Sequence, residues 1–164
     1  MNLNAEALRY YNELLFRMEQ VFYHELSDCS AWKTEYVGIN FIQSQDIRGG
    51  NEHEIVGSCL EKIKAAGIVQ DADFKIGGKG ILLKLDVRGC QHVHKERLLR
   101  ESGIKPYNCP IANMITDQLI EKLDYTTTYV ADLAVDENRG KCALKVAIYA
   151  TPDKVGEVSD WSKE

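Results

Sequence analysis

The chain has 164 residues, 45% of them hydrophobic and 27% charged, with a formal net charge of −5. That length suits one domain with a true hydrophobic core. The acidic balance excludes the basic face that sequence-independent nucleic-acid binding needs, and no apolar run reaches the ~18–20 residues that span a bilayer.

Met1 to Glu6 shows neither the basic nor the apolar part of a secretory leader. The five cysteines, at 29, 59, 90, 109 and 142, are odd in number and widely spaced. A cytoplasmic chain with reduced thiols is therefore expected.

The first element is a helix that Asn4 can cap, with Leu8, Tyr11, Leu15, Met18 and Phe22 recurring at three- and four-residue steps. Such a stripe packs on the core or on a second copy of itself, and a homodimer is expected. Tyr36 to Ile42 reads as a strand, and Gly49-Gly50-Asn51 as a break whose asparagine caps a second helix. That helix carries Ile55, Val56, Cys59, Leu60 and Ile63 and ends near Gly67. Phe74 to Ile76, the turn Gly77-Gly78-Lys79-Gly80, and Ile81 to Val87 form a hairpin. The glycine turn lacks the GxxxxGK[S/T] spacing of a phosphate loop and has strands on both sides. His92 to Ser102 is polar and charged, a short helix or an ordered loop with a solvated surface. Pro110 fits the first position of a helix running to Leu123. Thr126 to Val135 and Lys141 to Ala150 then alternate as the two strands of a long hairpin, with Cys142, Leu144, Val146 and Ile148 on one face. Residues 1–152 are expected to be one domain and 153–164 a polar tail. The class is α+β, an antiparallel sheet with helices packed against it.

The second half, roughly 74–150, resembles the 4-vinyl-reductase (4VR) type domain and, more distantly, the small subunits of the TRAPP tethering complex. The resemblance rests on Ile81-Leu82-Leu83-Lys84-Leu85, Asn108-Cys109-Pro110-Ile111-Ala112, Tyr125 to Val135 and Gly140-Lys141-Cys142-Ala143-Leu144-Lys145-Val146. Cys109 matches a cysteine at the start of the late helix, and Gly140-Lys141-Cys142 a Gly-x-Cys entering the last strand. The chain departs from the pattern at Ala112-Asn113, where the family often has small residues including glycine. It departs again at Val135-Asp136-Glu137, which lacks a further family cysteine. The resemblance implies a domain, often dimeric, that binds a small hydrophobic or tetrapyrrole-like molecule or serves as a sensor or assembly scaffold. It does not imply that the chain is itself a reductase.

Three chemistries compete for the remaining residues. A small apolar ligand would be lined by the Met114, Ile115 and Leu119 face, with Arg88 or Lys95 clamping a carboxylate or propionate. If residues 90–94 are extended, Cys90, His92 and His94 share one face, and Cys109 or Cys142 completes a four-ligand site for zinc or for iron, including haem iron. The spacing is not that of a standard zinc knuckle. A thiol enzyme built on Cys90 with His92 or His94 would need a thiolate, a base in reach and an orienting partner. No complete catalytic signature is present, so the expectation leans to a binding domain over a reaction. The metal or thiol enzyme and a structural adaptor are the alternatives.

Overall fold

The first helix, α1 (Ala5–Leu26), has the extent its periodicity predicts. The computed structural model describes residues 5–27, 36–77, 81–104, 109–125 and 127–149, so the expected cap Asn4, Cys29, the glycine turn at 78–80 and the tail at 153–164 lie outside it. The run from Tyr36 to Ile42 is not a strand. It forms a turn and a short helix, α2 (Ile39–Gln43). Gly38 is the cause. Its φ of 92° is left-handed, and its carbonyl accepts the Ile42 N–H at 3.1 Å, which turns the chain out of the extended region. Ile42, fully buried, is the residue this turn delivers to the core.

Helix α3 (Glu52–Ala65) begins as expected, with the Asn51 side chain accepting the Glu54 N–H at 3.0 Å. Its buried face is Ile55, Val56, Cys59, Leu60 and Ile63. Four strands follow, β1 (Asp71–Gly77), β2 (Ile81–Arg88), β3 (Thr127–Asp136) and β4 (Lys141–Tyr149), in one antiparallel sheet ordered β1-β2-β4-β3. The last strand thus inserts between β2 and the edge strand β3, and a register shift between Val130 and Asp132 bends that edge. A short 3-10 turn, Glu137–Arg139, joins β3 to β4; Asp136 caps it by accepting the Arg139 N–H at 3.2 Å.

Between β2 and β3 lie α4 (Val93–Glu101) and α5 (Pro110–Leu123), the second with proline in its first turn. Leu83, Leu85, Val87, Cys142, Leu144, Val146 and Ile148 point to one side of the sheet, where they share a core with the apolar faces of α3 and α5. Asp73, Lys75, Asp86, Arg88, Lys141, Ala143 and Lys145 alternate to the other side and are exposed. Helix α1 packs on α4 over a smaller cluster of Phe16, Leu99 and Ile104. Among the described residues no helix is long and apolar enough to cross a membrane.

Candidate functional site

The β2–α4 junction gathers most of the residues with chemical potential. Gly89, at a φ of 62°, turns the chain and donates its N–H to the Gly140 carbonyl at 2.7 Å. This stitches the end of β2 to the start of β4. Cys90 follows, buried and hydrogen-bonded side chain to side chain with buried Cys142. The His92 backbone N–H also points at Cys90 Sγ, at 3.4 Å. Cys109 sits at the N-cap of α5, 2% exposed, within electrostatic range of Cys90 and Glu96. The partnership with Cys142 and burial raise the Cys90 thiol well above its ordinary value, and burial raises Cys109 strongly. These are thiols held neutral, the opposite of an activated nucleophile.

The extended geometry expected for residues 90–94 is not present. Helix α4 begins at Val93 with His92 in a helical conformation just before it, and its Leu98 and Leu99 pack in the cluster that holds Phe16 of α1. The two imidazoles therefore diverge. His92 lies under enough protein that desolvation, aided by the Lys95 ammonium, brings its pKa down to about 4. The His94 ring instead meets Glu137 through Nδ1 at 2.6 Å, a carboxylate that Arg97 also contacts. Among the described residues, no three His, Cys, Asp or Glu side chains converge as an ion would need. Cys90 and Cys142 pair directly, Cys109 stays within electrostatic range of Cys90 only, and His94 is drawn away to Glu137.

Arg88 is committed elsewhere. Its guanidinium meets Asp71, and Asp73 at 3.0 Å, across the β1–β2 pair. Lys64 and Arg88 together hold the Asp71 carboxyl well below the usual range. Arg88 also borders an open depression of about 380 Å³ on the outer sheet face, where the carboxylates of Asp73, Asp86 and Asp136 face the two cations Arg88 and Lys141. Met114, Ile115 and Leu119 are 1%, 0% and 0% exposed and belong to the main core. Met114 is further pinned by the turn at Gly38, where an added Cβ would lie 2.9 Å from its Cγ.

A buried polar network joins α4 to α1, and the sequence reading missed it. Lys95 and Glu96, expected on a solvated surface, are 0% and 1% exposed. Lys95 Nζ donates to Glu19 Oε1 at 2.8 Å and forms an ion pair with Glu96 Oε1 at 2.8 Å. Asn12 completes the tie: its oxygen accepts the Lys95 N–H at 3.1 Å, and its amide donates to the carbonyls of Leu8 and Gln91 at 2.9 and 2.8 Å. Glu96 Oε2 accepts no hydrogen bond among the described residues. The signal was present in the sequence: Lys95 and Glu96 stand four and three residues before Leu99, on its side of a helix.

With that network inward, α1 turns another face outward. Tyr10, Tyr11, Leu14, Met18 and Val21 are 44–62% exposed, whereas the residues α1 buries are Asn12 and Phe16. No family model matches the chain, and no curated protein matches it.

Proposed function

We propose that this chain is a non-catalytic assembly domain, of the scaffold kind that the 4VR resemblance implies, whose working surface is the outward apolar face of α1. One observation carries the reading. A 22-residue helix is fixed to its domain by a polar tie through Asn12 and Glu19, while Tyr10, Tyr11, Leu14, Met18 and Val21 face solvent. Contiguous exposed apolar patches of several hundred Å² on a single domain mark association surfaces. The α+β architecture, Cys109 at the start of α5 and Cys142 at the start of β4 are compatible with a 4VR-type fold. A small-molecule role receives less support, because the side chains expected to line a ligand cavity are packed in the core.

The test is hydrodynamic. The tagged chain in a cell extract should elute well above monomer size, and Leu14→Glu with Val21→Glu should return it to monomer size without lowering its melting temperature by more than a few degrees. Elution of wild type and variant together at monomer size would overturn the reading.

A further inference from the structure

Two buried thiols meet where the sheet is pinned. Arg88 and Lys141 are the last paired residues of β2 and β4, and just beyond them the Gly89 N–H donates to the Gly140 carbonyl at 2.7 Å. Cys90 follows that bond on one chain segment, and Cys142 lies two residues past it on the other. Both are 5% exposed and both belong to the main core. Their side chains share a hydrogen bond, and the His92 backbone N–H points at Cys90 Sγ at 3.4 Å. The two backbones are tied together and the two sulfurs are already neighbours, which is most of what a disulfide asks of its frame. The other described thiols are engaged elsewhere. Cys109 lies within electrostatic range of Cys90, but its sulfur accepts the Ala112 backbone N–H at the start of α5. Cys59 sits on α3, with Lys122 and Asp117 of α5 as its charged neighbours.

We propose that Cys90 and Cys142 form an oxidation site, at which a hydroperoxide converts the free pair into an internal disulfide that staples the root of α4 to the start of β4. The chemistry has two steps. As a thiolate, one cysteine attacks a peroxide oxygen. An S–O bond forms, the O–O bond breaks, and the alkoxide leaves with the proton that thiol gave up. The other sulfur then attacks the sulfenic sulfur. The S–S bond forms, the S–O bond breaks, and the hydroxide leaves as water with the second thiol's proton. Two thiols lose two electrons, and one hydroperoxide gains them to become an alcohol and water. Both sulfurs are closed from water, so the first step waits on a local opening of the fold at α4. The contact between the thiols then selects a disulfide over higher oxidation, because the second sulfur is beside the sulfenic acid before another peroxide arrives. The consequence is mechanical. The new bond closes a long loop that holds α4, α5 and β3, which restricts the unfolded chain. It also anchors the helix whose Lys95 holds α1 through Glu19.

Millimolar hydrogen peroxide added to the purified full chain in native buffer, followed by peptide mapping without reductant, reads this directly. The expected product joins the Cys90 and Cys142 peptides through a bond that dithiothreitol breaks. The cross-linked chain should melt roughly 5–15 °C above the reduced one. Lys95→Met should form the bond several-fold faster, since α4 then opens more often. Cys142→Ala should abolish the cross-link and Cys59→Ala should leave it. Circular dichroism melts establish that these variants fold, and the wild-type map decides the matter if one does not. Wild-type thiols that stay reduced, or that run to sulfinic acid without a cross-link, overturn the proposal. So does a dominant cross-link through Cys109 or Cys29, or a Cys90–Cys142 bond that forms only after unfolding in guanidinium. A cross-linked chain that melts below the reduced one overturns the staple.

Discussion

Lys95 Nζ reaches across from α4 to Glu19 Oε1 of α1 at 2.8 Å, and both side chains are nearly shut from water, at 1% and 14% exposure. Glu96 adds a second carboxylate at 2.8 Å with 1% exposure. One ammonium thus serves two acids inside the protein, and its pKa is held above the ordinary lysine range by both carboxylates despite desolvation. A buried charge pair adds little net stability over an apolar pair, but deleting one member strands the other.

The first prediction follows. Lys95→Met should destabilise the fold by about 3 kcal/mol, because Glu19 and Glu96 then lie buried without a counter-charge. Glu19→Gln should lower stability by about 1–2 kcal/mol, since Glu96 still neutralises the ammonium. Urea unfolding of the two variants checks the order; a Lys95→Met loss below that of Glu19→Gln would contradict the arrangement.

How much of this was legible is best seen in α1. The steps through Leu8, Tyr11, Leu15, Met18 and Phe22 identified the helix, but the structure splits that stripe, with Leu8, Leu15 and Phe22 half-buried and Tyr11 and Met18 exposed. Periodicity reports that an arc is apolar, not which part a neighbour covers. Tyr36 to Ile42 misled because β-branched composition favours a strand, and the positive φ of Gly38 overrides it. Lys95 misled because its partner Glu19 is 76 residues away, beyond any local pattern. The hairpin of β3 and β4 and the cap of α3 were legible because each depends on neighbours in sequence: strict alternation for one, Asn51 and Glu54 for the other.

Gly38 gives the second prediction. An alanine there is strained by φ 92° and meets Met114 Cγ at 2.9 Å and the Pro110 carbonyl at 3.3 Å. Gly38→Ala should cost about 2–3 kcal/mol. In a Met114→Ala background the side-chain clash disappears, and the same change should cost only about 1 kcal/mol, the backbone part. Strict additivity in this double-mutant cycle would mean that the contact carries none of the effect.

The third prediction concerns His92. Burial depresses its folded pKa to about 4 from an ordinary 6.5. A depressed pKa contributes stability above the unfolded value, and that contribution is lost as pH falls through the window between the two, here roughly 6.5 to 4. The loss should be on the order of 2 kcal/mol. Glu19 works in the opposite sense: burial raises its carboxyl, so its contribution grows as pH falls toward the ordinary carboxylate value. The difference between wild type and His92→Gln therefore isolates the imidazole. The gap in urea-unfolding free energy between the two should change steadily from pH 7 to pH 4.5, in favour of the variant at low pH. A constant gap would place His92 in contact with solvent.

The last prediction weighs the thiols against enzyme chemistry. Cys59, Cys90, Cys109 and Cys142 are free and buried. Burial pushes Cys59 up to about 12, so at pH 8 its thiolate fraction is on the order of 10⁻⁴. Cys109 and Cys90 are raised as well, and Cys142 is shielded at 5% exposure. A catalytic cysteine needs the reverse, a lowered pKa with an accessible sulfur. In a Cys29→Ser background, an aromatic disulfide reagent at pH 8 should therefore find no rapidly reacting thiol in native buffer and four in concentrated guanidinium. The native reaction rate should follow the opening of the fold, rising in Lys95→Met, which leaves every thiol in place but loosens α4 beside Cys90. A thiol that reacts within seconds in the folded wild type, at a rate indifferent to Lys95→Met, would mean that Cys90 or its neighbours are poised for chemistry and that the assembly reading omits a reaction.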